Sequence, residues 1–424
     1  MAKPKLGLIP AAQGSKLFSV LPSSGVGDFD FSRSGKATRI NSQGLIEEVS
    51  NGQSRLNYPM IDGKVVGCPH HILEPQRTNV FTYSEDFNSG APNWVLYGGS
   101  TVNSNNAISP DGTLNADKLS DAGGIYSQQV YNPNIKYVFS LFIKKNTATG
   151  FHMNFVDQAS GYLGGTIVYT YSTNSIQITQ SANSSISAES LDYGNGWIRL
   201  IMKFTTNVAQ NYNYQAIESI GGDSFIWGAQ LEQGSYPTSY IKSDTGSATT
   251  RSAETANGSG DAATFNDSEG VLMAEISALD NDGTFRHISI SDGTNSNIVQ
   301  LRYRSTPNVL QSLLYVGGVG EVYGVTLNDV TTSSKAAIKY KENDVAFWVD
   351  GFKRVVDTSA SSFSDSTLNT LRFQRGDGGG SSDFYGNTKQ LQYYDSALTD
   401  SEIEQLTSWT SFSDMAEGQL YTIE

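Results

Sequence analysis

The chain of 424 residues has one cysteine, four histidines and few charges: Asp, Glu, Lys and Arg make up 17% of it, against roughly 25% in ordinary soluble domains. A lone cysteine, Cys68, forms no internal disulfide, so no disulfide framework holds the fold. No run of about 18 apolar residues occurs, which excludes insertion into a membrane by a spanning helix. The start, MAKPKLGLIPAAQGSK, has lysines, but its apolar run is short and broken by Pro10. It is a poor signal peptide. Basic surplus is also missing. The net charge is −14, and nucleic acid needs a basic footprint. G-x-S-x-G, a P-loop and a dinucleotide-type glycine motif are absent, and GGVGEVYG (317–324) is only glycine-rich.

What is present points to strands. Glycine is abundant at 42 residues, and alternating or β-branched stretches recur between turn residues. The charge is uneven. Residues 1–85 hold nine Lys and Arg against seven Asp and Glu, a balance of +2, and the remainder carries −16. The first part, 1–85, offers short extended pieces with too little apolar content for its own core. In it, DFDFSR alternates and ATRINSQGLIEEV reads as two strands around an Asn41-to-Gly44 turn. The second part, 86–244, contains KYVFSLFIKK, GFHMNFVDQ, GGTIVYTYST, GWIRLIMKF and DSFIWGAQLE. Short, evenly spaced strands of this kind predict an antiparallel sandwich or jelly roll. The tract SDTGSATTRSAETANGSGDAA reads as a linker, or as one strand framed by loops. The third part, 245–424, repeats the strand logic and adds the chain's one convincing helix, SALTDSEIEQLTSW, capped by Thr399 or Asp400 with Ile403 and Leu406 on one face. The fold class is all-β: an extended N-terminal segment followed by two β-sandwiches.

The stretch CPHHILEPQRTN holds the only cysteine and half of the histidines. Structural zinc needs about four ligands. Cys68, His70 and His71 supply three, and His152 and His287 lie far away. Adjacent histidines in a strand point to opposite faces. A Cys–His nucleophile lacks an orienting group. Neither a metal site nor a catalytic residue is expected here. Asp280, Asp282 and Asp292 sit in Asp-Gly turns. They are the calcium candidates, calcium being the one cofactor left open, although Asp-Gly is foremost turn chemistry. An E-x-D-x-x-E carboxylate pattern is broken at Glu342-Asn-Asp344-Val-Ala-Phe347, which reads as a turn before a strand.

GKATRINSQGLIEEV and GCPHHILEPQRTNVFTYSEDF resemble a module of bacteriophage tail-fibre, head-fibre and spike proteins, closely from Arg33 to Glu85. WGAQLEQGSYPTSYI (227–241) looks like the closing strand of the carbohydrate-binding-like jelly roll that often follows. FWVDGFKRVV and YYDSALTDSEIEQL resemble the end of a laminin-G-like, concanavalin A-type sandwich. The resemblance implies a virion protein, made in the host cytoplasm: a homotrimeric fibre or spike displaying glycan-binding-like domains for host adhesion. Residues 1–85 would attach it to other virion proteins and trimerise it, so a chain starting near Asn88 is expected to stay folded. Glu74, Pro75, Arg77 and Asn79 would form a structural clasp. Sugars stack on exposed aromatic rings. The candidates are Tyr212 and Tyr214 first, then Trp94, Tyr97 and Tyr126, with Tyr385 in the third part. Trp197, Trp227 and Trp348 read as core. A glycan hydrolase and a decorative capsid fibre without a ligand are the alternatives.

Overall fold

The computed structural model describes residues 2–415 except 9–11, 14–15, 89, 91–92, 133, 158–161, 181–183, 207–209, 380–382 and 412. At 12–13, 157, 162–163, 180, 184, 206 and 210–214 it describes the backbone alone. Nearly every element is an antiparallel strand, and the two sandwiches expected from the sequence are both present. The first consists of two six-stranded sheets. One has the spatial order Val95–Tyr97, Gly124–Tyr131, Gln210–Ile220, Gly150–Asp157, Tyr162–Thr170, Ser175–Gln180. The other runs Val102–Ile108, Leu114–Leu119, Ser224–Gln233, Lys136–Lys145, Trp197–Thr206, Ser184–Asp192. Phe139, Leu141, Phe151, Met153, Ile167, Leu200 and Ile217 fill the space between them.

The second sandwich corrects the division at residue 85. Its larger sheet takes strands from both ends of the chain. Gly386–Tyr394 pairs with Glu269–Ala278 on one side. On the other it pairs with Leu6–Leu8 and with His70–Leu73. Phe29–Ser32 pairs with Thr255–Asn257, with Phe29 and Phe31 inward and Asp30 and Ser32 outward, as the alternation in DFDFSR requires. Leu6, Leu8, Leu17, Phe29, Phe31 and Leu73 share one hydrophobic cluster with Leu272, Ile288, Leu301, Phe347 and Phe373. The N-terminal residues are therefore not a body of their own. They are apolar-poor because they complete a core that residues 255–394 mostly supply. The first sandwich is inserted between the two halves of this domain. Its entry strand Arg77–Asn79 and its exit strand Thr249–Arg251 pair with each other, so the tract, read as a linker or as one strand framed by loops, holds strands, among them the return strand of a neck.

A buried ionic cluster braces that neck. Glu254 is fully buried. It accepts from Arg33 Nη1 at 2.8 Å, from Arg55 Nε at 2.9 Å and from the Glu74 amide at 2.9 Å. Glu74 accepts from Arg55 Nη2 at 2.8 Å, meets Arg251 Nη1 at 2.7 Å, and takes the Ser239 amide and hydroxyl at 2.8 and 2.6 Å. Burial alone would push the Glu74 carboxyl up, but Arg251 and Arg55 hold it down at about 2. The spare guanidinium N–H groups reach backbone carbonyls of Val49, Ser50, Gln53, Thr38 and Pro75. Asn79 donates to the carbonyls of Ala229 and Ile241 and accepts from the amides of Leu231 and Phe81, using all its hydrogen-bonding capacity. Arg77 stacks on Tyr236 at 5.4 Å and stands 3.7 Å from Glu232.

Local signals place the smaller elements. The hairpin Ala37–Ile40 with Ile46–Val49 turns where Asn41 Oδ1 accepts the amides of Gln43 and Leu45 and Gly44 adopts φ 77°. The helix Asp400–Thr407 has Thr399 as its N-cap in a capping box with Glu402. Its Ile403 is buried with Val271, Met273 and Trp348, and Leu406 packs against them. No helix among the described residues is long and apolar enough to cross a membrane.

Two outcomes follow from the spliced domain. A chain shortened to begin at Pro75 loses the strands Leu6–Leu8 and His70–Leu73. It is expected to lose the calorimetric transition of the second sandwich while the first keeps its own; two unchanged transitions would show that the N-terminal strands are dispensable. Glu254→Ala leaves Arg33 and Arg55 buried without their shared carboxylate. It is expected to cost about 3–5 kcal/mol in denaturant unfolding.

Candidate functional site

Strand alternation gives each sheet of the first sandwich one face toward the core and one away from it. In the sheet built on Gly150–Asp157, register places Tyr97, Gly124, Glu218, His152, Val168 and Gln177 in one cross-strand row. Val95, Tyr126, Ala216, Asn154, Thr166 and Thr179 form the next. Their chain neighbours Ile125, Ile217, Phe151, Met153 and Ile167 are in the core, so both rows face outward. None of the hydrophobic clusters among the described residues includes a side chain from them.

The first row carries a polar triad. The Tyr97 hydroxyl donates to Glu218 Oε1. His152 Nδ1 lies 3.2 Å from Glu218 Oε2. Gly124 stands between Tyr97 and Glu218, where an added Cβ would come within 2.7 Å of the Tyr97 hydroxyl and 2.6 Å of the Glu218 chain. Glycine thus lets the tyrosine lie across its strand. The hydrogen bond from His152 holds the Glu218 carboxyl below its usual range, assisted by the one from Tyr97. Partial burial and the adjoining carboxylate push the Tyr97 hydroxyl up, so both groups keep their ordinary charge at neutral pH. The rings of Tyr97 and Tyr126 are neighbours at 5.9 Å. The result is a half-buried aromatic pair beside a carboxylate, an imidazole, an amide and two threonine hydroxyls.

Of the other sequence candidates, Trp94 and Tyr385 do not gather here, while register places Tyr214 in the row next to that of Tyr126 and Asn154. Tyr212 and Tyr214 lie on the strand Gln210–Ile220, with Tyr214 in register with Gln128 and Val156; their side chains are outside the described residues. Trp94 is core. It is 1% exposed, its rings lie 4.9 and 5.2 Å from those of Phe81 and Phe87, and its indole N–H donates to the Tyr83 carbonyl at 2.8 Å. Expected among the rings open to a sugar, it packs into the core cluster of the sandwich instead. Tyr385 is on the second sandwich, half-buried, and donates to Asp383 at 3.0 Å. The triad escaped the sequence analysis because cross-strand register is not readable there. The available signal was His152 at the polar parity of GFHMNFVD.

The calcium candidates are engaged separately. Asp280 accepts from Ser235, Asp282 pairs with Arg286 at 2.9 Å, and Asp292 takes Thr294 and Asn297. No cluster of three or more His, Cys, Asp or Glu that could hold a metal occurs among the described residues. Glu342 to Asp344 form the turn between the strands Ser334–Lys341 and Val345–Val349, with Asn343 at φ 56°. Phe347 is fully buried. Cys68 is exposed. His70 and His71 point to opposite faces of their strand: His70 meets Asn57 at 3.3 Å, and His71 sits between the rings of Phe31 and Phe373.

No family model matches the chain, and no curated protein matches it. Among solved structures it is similar to the carbohydrate-binding module CBM40 of the Ruminococcus gnavus IT-sialidase bound to α2,3-sialyllactose. That match has 15% identity over 34% of this chain and 84% of the other, with a TM-score of 0.30. Leech intramolecular trans-sialidase matches at 14% identity over 35% of this chain and 24% of its own, TM-score 0.30. Mouse laminin α1 domains LG4-5 match at 10% identity over 62% and 83%, TM-score 0.25.

The buried histidines set an acid response. Neither His71 ring nitrogen has a hydrogen-bond partner among the described residues. Burial lowers His71 to about 4 and His70 to about 3. Below about pH 6.5 the unfolded chain binds protons that the folded chain refuses, so stability falls as pH drops from 6.5 toward 4. Glu74 adds a further loss from about pH 4.5 downward, its folded value being depressed. Thermal melts are expected to be flat above pH 7 and to decline below 6.5. His71→Phe, which fits between two phenylalanines, should flatten the decline between pH 6.5 and 4 by up to about 3 kcal/mol. An unaltered slope would place the titration elsewhere.

Proposed function

We propose that the outward sheet face of the first sandwich binds a glycan, and that the protein is an adhesive fibre or spike of a bacteriophage virion, assembled as a homotrimer. The carrying observation is the Tyr97–Tyr126 ring pair on a face that no hydrophobic cluster covers among the described residues, next to Glu218, His152 and Thr166 and the buried Asn154. A sugar offers flat C–H faces and a rim of hydroxyls. Paired rings take the first, and carboxylate, imidazole and amide groups take the second. The virion assignment rests on the Arg33–Glu85 motif. The attachment role of residues 1–85 belongs to surfaces left exposed after their strands join the second sandwich. Single sites would be weak, because a sugar exchanges water hydrogen bonds for protein ones, and several copies per particle raise the avidity.

Binding without cleavage is part of the reading. Glycoside hydrolysis commonly uses two carboxyl groups about 5–10 Å apart. The two outward rows contain one, Glu218, held ionised. The Tyr97 hydroxyl beside it is held protonated, which disfavours it as a nucleophile.

A glycan array probed with the intact protein identifies the ligand. Tyr126→Ala and Tyr97→Ala are then expected to weaken binding about tenfold or more, with melting temperatures within a few degrees of the parent. A positive array with both variants unaffected would remove this face from the site. Reducing-sugar release from the bound glycan would establish the hydrolase instead. A monomer mass in light scattering at micromolar concentration would overturn the trimer.

A further inference from the structure

The two sandwiches and the N-terminal residues meet around a cleft. Its central cavity of about 290 Å³ is walled by Ile40, Leu191, Tyr193 and Leu279, one or more from each part of the chain. Two neighbouring spaces of about 500 and 640 Å³ share Leu191 with it as a lining residue. The polar side chains on its lining are not balanced in charge. Glu74 is matched by Arg55 and Arg251. Lys389 stands 3.5 Å from Glu275. Arg199 differs from both. It is 4% exposed, and its hydrogen bonds go to the Ser140 hydroxyl and the Thr238 carbonyl, both neutral. It has no carboxylate partner among the described residues. Buried charges are normally paired, and Arg55, Arg251 and Arg286 in this same protein are. A second sign points the same way: Asn387 donates to Ser277 at 3.1 Å, but its Oδ1 is buried with no hydrogen-bond partner among the described residues.

We propose that this cleft binds a carboxylate-bearing monosaccharide unit, with the carboxylate against Arg199 and Lys389. The arginine guanidinium offers planar donors suited to a carboxylate. Asn387 and Ser277 supply hydroxyl partners, and the Ile40–Leu191–Tyr193 wall takes the apolar face of the ring. The volume, near the lower end of the roughly 300–1,000 Å³ usual for small-molecule sites, holds one sugar residue rather than a chain. This site shares no residue with the Tyr97–Tyr126 face, so either can fail without the other.

The test is calorimetric titration of the full chain with glucuronate, glucose and inorganic phosphate. Saturable binding of glucuronate is expected, with glucose silent and phosphate at least about tenfold weaker. Arg199→Gln should lose about tenfold or more of the glucuronate affinity. Because Arg199 also stacks on Phe142, Thr331→Trp provides a second variant. Thr331 lines the cavity and hydrogen-bonds through its amide, to Asp329, so an indole there fills the cleft while leaving that bond in place. It should abolish binding with the melting temperature kept. No saturable heat with glucuronate, equal binding of glucose, phosphate as tight as glucuronate, or full affinity in a folded Thr331→Trp variant would each overturn the proposal.

Discussion

Glu74 and Glu254, held by three arginines, are the constraint on which the rest depends. Ions of either sign cost several kcal/mol to bury, and these do so only in each other's company. Arg33 and Arg55 come from the N-terminal residues, Ser239 from the end of the first sandwich, and Arg251 and Glu254 from the return segment. Glu74 is also N-terminal, so all five charges come from the N-terminal residues and the return segment, neither of which pairs them alone, and Ser239 adds two neutral hydrogen bonds. Such clusters contribute less to net stability than to specifying one arrangement, because any other packing strands a charge in a dry interior. Here the specified arrangement is the neck where the chain leaves one sandwich to build the other.

The same placement decides which sheet face of the first sandwich stays open. The hairpin Ala37–Val49 and the segment ending at Tyr240 lie over the sheet containing Lys136–Lys145. Ile46 and Tyr240 share a cluster with Phe142, Trp197 and Trp227 there. The opposite sheet has no such cover among the described residues. Its outward rows hold Glu218, His152, Asn154 and threonines instead of phenylalanine and tryptophan. One sheet is buried on both sides and the other on one, so the polar face available to a ligand results from where the N-terminal residues dock.

This asymmetry is written in the strands themselves. KYVFSLFIKK is apolar at both parities, with Val138 and Phe142 on one side and Phe139, Leu141 and Ile143 on the other. GFHMNFVD alternates from Phe151 to Phe155, with Phe151, Met153 and Phe155 at the core parity and His152 and Asn154 at the other. Strand content, the Asn41–Gly44 turn, the capped helix and the split of His70 from His71 were legible for the same reason: each depends on residues a few positions apart. Pairing of Leu6–Leu8 with Leu391–Tyr393 was not, because thin apolar content shows that a segment needs a partner without showing which. The burial of Trp94 was not legible because sequence does not report where a ring points. In the return segment, Arg251 and Glu254 are two of the four charges in the tract 243–263, and nothing in the composition separates this buried pair from the exposed Asp244 and Asp261.

Insertion explains why the clasp sits where it does. An inserted domain is compatible with its host when its two ends emerge side by side, since the host then closes around a gap of one strand spacing. Arg77–Asn79 and Thr249–Arg251 meet that condition by pairing. A two-stranded ribbon is marginal in water by itself. Asn79 anchors its outer end to Ala229 and Ile241 of the inserted sandwich, and Arg251 anchors its inner end to Glu74 and the Pro75 carbonyl. A neck held at both ends fixes the first sandwich against the N-terminal hairpin. That contact keeps Ile40 and Tyr193 together on the lining of the cleft and leaves the Tyr97–Tyr126 face turned outward.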